Sequence, residues 1–207
     1  KEIVVIVEVS NECSINTKSK KWLFKVFRIL DETSTGEYYE VLCTYILPSV
    51  GRLNVRVNSP CITSEVFGDT GRCDCKLQLD LSMDMMVQQN NGMIIYTMKE
   101  EGMGNGIFNK INSYSIMENR GCSTKDAYLE LGLTPDIRCF SYVVEILKYF
   151  EIKNINFITN NPRKVAALKA EAFDVITIPL VVQNEDLDFY LRSKVADFGH
   201  FIYSNGN

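Results

Sequence analysis

The sequence lacks a basic surplus: 22 Lys and Arg residues face 26 Asp and Glu, for a formal net charge of −4. That balance argues against binding driven by nucleic-acid phosphates, which needs excess cations to release counterions. A small local basic site for a nucleotide remains compatible with it. Long apolar runs are also missing. None approaches the roughly 20 residues that cross a bilayer, which argues against a helical membrane span. The opening segment holds only the run Ile3 to Val7, too short for the core of a secretory signal, so the expected location is the cytoplasm. Internal repeats, low-complexity tracts and linkers are absent too. A chain of 207 residues suffices for one well-buried domain, expected here over 1–207. Seven cysteines, an odd number without an export signal, speak against a disulfide scaffold. The single histidine, His200, is far in sequence from the cysteines that cluster.

What is present changes character along the chain. Residues 2–9 are short and β-branched, and with Trp22 to Leu30, Tyr38 to Leu47 and Asn54 to Asn58 they predict strands. The links between them are too short for helical crossovers, so this first part is expected to be antiparallel. Lys76 to Gln89 is poor in β-branched residues and favours helix, although the alternation Leu77, Leu79, Leu81, Met83, Met85 fits a strand by period. A strand is expected over Gly92 to Met98 and a helix over Ile107 to Met117. Thr124 can cap a further short helix that Gly132 ends. Phe140, Val143, Val144 and Leu147 share one helical face. Asn154 to Thr159, Pro162 to Ala172 and Val175 to Ile178 read as strand, helix and strand, with Pro162 opening the helix. The expected class is therefore α/β (α+β): an antiparallel β-rich N-terminal part, then alternating strands and helices in one layered domain.

Three cysteines, Cys61, Cys73 and Cys75, fall close together; the other four are scattered and read as small buried apolar residues. Three thiolates can hold zinc and leave its fourth position open to water. Spacing alone leaves the alternative of three unrelated buried cysteines, which the polar neighbours Arg72, Asp74 and Lys76 weaken. Glu101 to Gly106 places three glycines between a strand and a helix, either an anion cradle or an ordinary turn. Thr159 to Lys164 brings a hydroxyl, amides and two cations to a helix start, which suits an anion, although helix signals alone favour a solvated polar cap. Asp136 and Arg138 offer a base and a phosphate-binding cation, or a plain ion pair. Tyr114 can donate a proton or pack, and His200 reads as a packed terminal residue.

The order of these segments is more specific than any one of them. Arg56-Val-Asn-Ser-Pro-Cys61, Arg72-Cys-Asp-Cys-Lys-Leu-Gln78, Glu101-Gly-Met-Gly-Asn-Gly, Leu131-Gly-Leu-Thr-Pro-Asp136-Ile-Arg138, Thr159-Asn-Asn-Pro-Arg-Lys164 and Gly199-His200 together resemble the GTP cyclohydrolase II family, from about Arg56 to His200. The first 50 residues carry little of that signal. The resemblance implies an enzyme of riboflavin synthesis that opens the guanine ring of GTP, releasing formate and pyrophosphate, with zinc and magnesium. Cys61, Cys73 and Cys75 would hold zinc for water attack at C8. Tyr114 and Asp136 would handle protons, and Arg138 would attack the α-phosphate. Arg56, Gln78, Glu101, Gly102, Thr124, Thr159 and Lys164 match nucleotide-contacting positions, and a homodimer is implied.

The departures from the family pattern are local. Asn58 and Pro60 stand in R-V-H-S-E-C for His and Glu, Met103 and Asn105 in E-G-R-G-I-G-L for Arg and Ile, and Thr63-Ser64-Glu65 replaces T-G-D. They keep open a diverged enzyme acting on another nucleotide, or stopping at ring opening. A non-catalytic nucleotide-binding paralogue is the third reading.

Overall fold

In a computed structural model of the chain, residues 3–32, 36–48, 51–180, 197 and 199 are described. Their centre is an eight-stranded sheet of β1 (Val4–Val9), β2 (Cys13–Thr17), β3 (Lys20–Asp31), β4 (Tyr39–Ile46), β5 (Leu53–Asn58), β6 (Gly92–Tyr96), β7 (Asn154–Ile158) and β8 (Asp174–Ile178). The order is β1-β3-β4-β6-β5-β7-β8, with β2 also paired to β3. The helices are α1 (Ile62–Glu65), α2 (Cys75–Gln89), α3 (Gly106–Arg120), α4 (Thr124–Glu130), α5 (Ser141–Tyr149) and α6 (Pro162–Lys169). A 3-10 segment, Met98–Gly104, precedes α3, so the strand expected to run to Met98 stops at Tyr96. Among the described residues no helix is long and apolar enough to cross a membrane.

The expected antiparallel block holds for β1 to β4 but not for β5, which pairs parallel with both β6 and β7. The reason is the link: residues 59–91 carry α1 and α2 over the sheet, a crossover that parallel pairing requires. Every residue of β5 is buried, as befits a strand covered on both faces. One face carries the larger core, where Phe27, Val41, Val55, Ile95 and Phe157 meet Val143, Ile146 and Leu147 of α5 and Leu168 of α6. On the other face Trp22, Met86, Ile94 and Ile158 pack together with partly buried Leu79 and Met83 of α2.

Several local details differ from expectation. β2 escapes the sequence pattern because its side chains are almost all exposed, leaving no apolar alternation to read. Its turn, Lys18-Ser19, has positive φ at both residues without the usual glycine or asparagine. The cap of α4 is Ser123, whose hydroxyl accepts from the Asp126 N–H at 3.2 Å, and Thr124 is the first helical residue. Helix α6 stops at Lys169 rather than Ala172, which has φ of 61°. Of the four scattered cysteines only Cys43 is buried; Cys13 is exposed, and Cys122 and Cys139 are intermediate. His200 lies outside the described residues.

Candidate metal centre and cationic cleft

The chain leaves the end of β5 through Asn58, Ser59 and Pro60 and reaches Cys61 at the start of α1. Cys73 and Cys75 flank Asp74 where α2 begins. The crossover thus delivers three sulfurs to the C-terminal side of the parallel strands, all within 4.8 Å of one another. Cys61 Sγ and Cys73 Sγ are 3.4 Å apart. Zinc held tetrahedrally at about 2.3 Å needs sulfurs about 3.8 Å apart, so the cluster has the right span for that ion. Its electrostatics agree. Hydrogen bonds from Cys73 and Cys75 pull the Cys61 thiol well down, and Lys110 adds to this with Nζ 3.0 Å from Cys61 Sγ. The same Cys61–Cys73 bond pushes Cys73 up. Two thiols sharing a proton beside a fixed ammonium suit a cation that displaces that proton.

Lys110 is itself held. Burial would lower it, but Tyr114, Glu101 and Cys61 raise it, and Glu101 Oε1 lies 2.7 Å from its Nζ. The Glu101 carboxylate also accepts the N–H groups of Ile62 and Gly102, each at 2.9 Å. Glu101 and Gly102 therefore sit behind the sulfurs, with the Gly102 carbonyl accepting from the Tyr128 hydroxyl at 2.9 Å. Tyr114, one turn along α3 from Lys110, stacks under Arg72 at 4.9 Å and lines a separate hollow with Thr63 and Phe67. Burial pushes its phenol up to about 12 against the opposing pull of Lys110 and Thr63. Thr124 points at Met117 Sδ, 3.7 Å away, and does not line the cleft described next.

That cleft opens beside Cys75. It is lined by Arg56 in β5 and Ser59 just after it, Gln78 on α2, Arg138, Thr159, Asn160 and Asn161 between β7 and α6, and Lys164 in the first turn of α6. Five of the residues singled out from sequence, Arg56, Gln78, Arg138, Thr159 and Lys164, meet here although they are spread from position 56 to position 164. Arg56 donates to Asn58 Oδ1 at 3.0 Å and to Gln78 Oε1 at 3.4 Å. Burial pushes the Lys164 ammonium down to about 7, with Glu100 opposing and Arg138 and Arg56 reinforcing the shift. Asp136 closes on Arg138 through bonds of 2.9 and 2.7 Å. Burial would raise its carboxyl, but Arg138 and Arg163 hold it below the usual range. The amides expected to face an anion are partly committed. Asn161 caps α6 by accepting the Arg163 N–H at 2.9 Å, and Asn160 is tied to the Leu180 backbone.

Sequence reasoning missed the support beneath these cations. Ser59 Oγ accepts from Arg138 NH1 at 3.0 Å and from Lys164 Nζ at 2.9 Å, and donates to Glu100. Glu100 is 2% exposed and also accepts from the Tyr142 hydroxyl. The signal available was an acidic residue between Lys99 and the glycine loop, which nothing in the sequence separates from solvent-facing charge. The departures from the family pattern also find places. Asn58 Nδ2 donates to Glu65 Oε1 at 2.8 Å, so two of the changed positions are partners. Met103 has φ of 57°, and its carbonyl accepts from the Ile137 N–H at 3.1 Å.

A mixed sheet with a cysteine cluster and a cationic cleft at the ends of its parallel strands makes this an α/β protein with a built polar site. Comparison with known proteins gives its kind. The family model of GTP cyclohydrolase II matches residues 8–178. The GTP cyclohydrolase-2 of Helicobacter hepaticus is 34% identical over 195 residues, covering 94% of this chain and 98% of that protein. That of Picrophilus torridus is 40% identical over 150 residues, 72% of this chain and 77% of that protein. The riboflavin biosynthesis protein RibBA of Staphylococcus aureus is 39% identical over 154 residues, 72% of this chain and 37% of its own length. The chain belongs to the GTP cyclohydrolase II family and is a hydrolase. The match begins at residue 8, so it takes in β2 to β4 and the last two residues of β1, beyond the stretch from about Arg56 in which the motifs lie.

Proposed function

We propose that this enzyme opens the imidazole ring of the guanine in GTP, releasing formate and pyrophosphate and leaving a 2,5-diamino-6-ribosylamino-pyrimidinone 5′-phosphate. The observation that carries this reading is the adjacency of the three sulfurs to a cleft containing Arg56, Arg138 and Lys164. Cys61, Cys73 and Cys75 would hold zinc, which when bound supplies Lewis-acid activation of water at neutral pH. The protein's own groups do the rest. Tyr114, protonated at neutral pH, donates a proton to the opening ring. Lys164, Thr159 and Arg56 hold the phosphates, which arrive with magnesium. An Arg138 nitrogen bonds to the α-phosphorus as the bond to the bridging oxygen breaks, pyrophosphate leaves, and Asp136 takes the proton that the guanidinium gives up. Water then frees the monophosphate. Glu101 and Gly102 support the sulfurs in the geometry seen, and Thr124 reaches a ligand only from beyond the cleft.

The test is direct: zinc-loaded protein, GTP and magnesium, with formate and pyrophosphate measured. Both products are expected from the native chain. Arg138→Ala should lose pyrophosphate while staying folded and keeping its zinc. Zinc without formate rejects the reading. A second reading, a different purine or pyrimidine nucleotide, is favoured by Met103 in place of the arginine of the family pattern. The same assay run over several nucleotides separates the two.

A further inference from the structure

Arg163 belongs to the basic helix start that sequence marks for an anion, yet its guanidinium is turned onto the protein. From the first turn of α6 its NH1 lies 2.7 Å from Asp136 Oδ2. NH1 also donates to the Asp136 carbonyl at 3.4 Å and NH2 to the Arg138 carbonyl at 3.0 Å. From the other side Arg138 grips the same carboxylate with Nε and NH2, and its backbone N–H adds a bond of 3.2 Å. The carboxylate is thus held between two guanidiniums. Side-chain exposure is 7% for Asp136 and 10% for Arg138, so that pair is largely shielded from the screening that weakens surface ion pairs, whereas Arg163 is 48% exposed and holds through its directed bonds. A planar fork can bond a carboxylate and two carbonyls together; an ammonium cannot match that geometry.

We propose that Arg163 is the positioning residue of the Asp136–Arg138 pair. It locks residues 136–138 onto the start of α6, so that Arg138 keeps register with Lys164 and Thr159, and it places its own charge against the Asp136 carboxylate. The inference rests on the roles given above to Asp136 and Arg138. Geometry and charge are separable, because lysine keeps the charge and loses the fork. The charged groups facing Asp136 are Arg138 in its own segment and Arg163 and Lys164 on α6.

The experiment compares the zinc-loaded native chain with Arg163→Ala and Arg163→Lys. Hydrogen exchange reads the clamp: Ile137 N–H donates to Met103 and Arg138 N–H to Asp136. Both amides should exchange at least tenfold faster in either variant. With GTP and magnesium, kcat for pyrophosphate should fall at least tenfold in both variants, with KM within threefold. The acid limb of the kcat profile should move to higher pH in Arg163→Ala and stay in place in Arg163→Lys. Unchanged exchange in Arg163→Ala overturns the clamp whatever the activity. A raised KM with kcat and acid limb unmoved also overturns it, since that marks a direct ligand contact. If the native chain releases neither product the proposed reaction fails, and amide exchange still judges the clamp.

Discussion

On the proposed function, individual side chains decide how strongly the cleft would hold a nucleotide's phosphates. Met103 stands where the family pattern has arginine, in a left-handed conformation that arginine would share at similar cost. A hydrogen bond to a charged group contributes about 1.5–3 kcal/mol, about tenfold to a hundredfold in binding. Met103→Arg should therefore lower KM for GTP at least tenfold in initial-rate measurements. An unchanged KM would mean that position 103 does not face the nucleotide. Lys164 makes a prediction about stability. Its folded value of about 7 lies below the ordinary value of 10.5. Between these limits the unfolded chain binds the extra proton, so this residue's contribution to stability rises with pH across that window and is flat below it. Denaturant unfolding at pH 6.5, 8 and 9.5 should show the native chain gaining on Lys164→Met as pH rises. Parallel trends in the two proteins would refute the depressed ammonium.

At the scale of elements, legibility followed solvent exposure and contact. Helix α5 was readable because Val143, Val144 and Leu147 form one buried stripe. Helix α2 was ambiguous for the opposite reason: its fully buried residues are only Ser82 and Met86, while Leu77 and Leu81 stay exposed, so period alone did not choose. The direction of β5 lay in its crossover, a tertiary fact that local spacing does not contain. The turn after α2 depends on close approach. A Cβ on Gly92 would stand 2.2 Å from Met86 Cγ, which is buried under the sheet. Gly92→Ala should thus destabilise the fold by about 1–3 kcal/mol, the usual cost of overpacking. A urea midpoint equal to that of the native chain would show that Met86 can move aside freely.

Across the whole molecule, the site divides into what sequence order carries and what folding alone reveals. The three cysteines and the cations were visible because their side chains have chemistry that a core has little use for. Ser59, Glu100 and Tyr142 were not, because a hydroxyl or carboxylate under the site resembles any other until its partners are known. The sulfurs all lie on one crossover between β5 and β6, whereas the groups lining the cationic cleft are gathered from strands and helices as far along as α6. The two halves of the chemistry therefore have unequal vulnerability. On the proposed roles, injury to the β7–α6 margin would leave a chain that could still capture zinc but not grasp a nucleotide, while injury to the crossover would remove both at once.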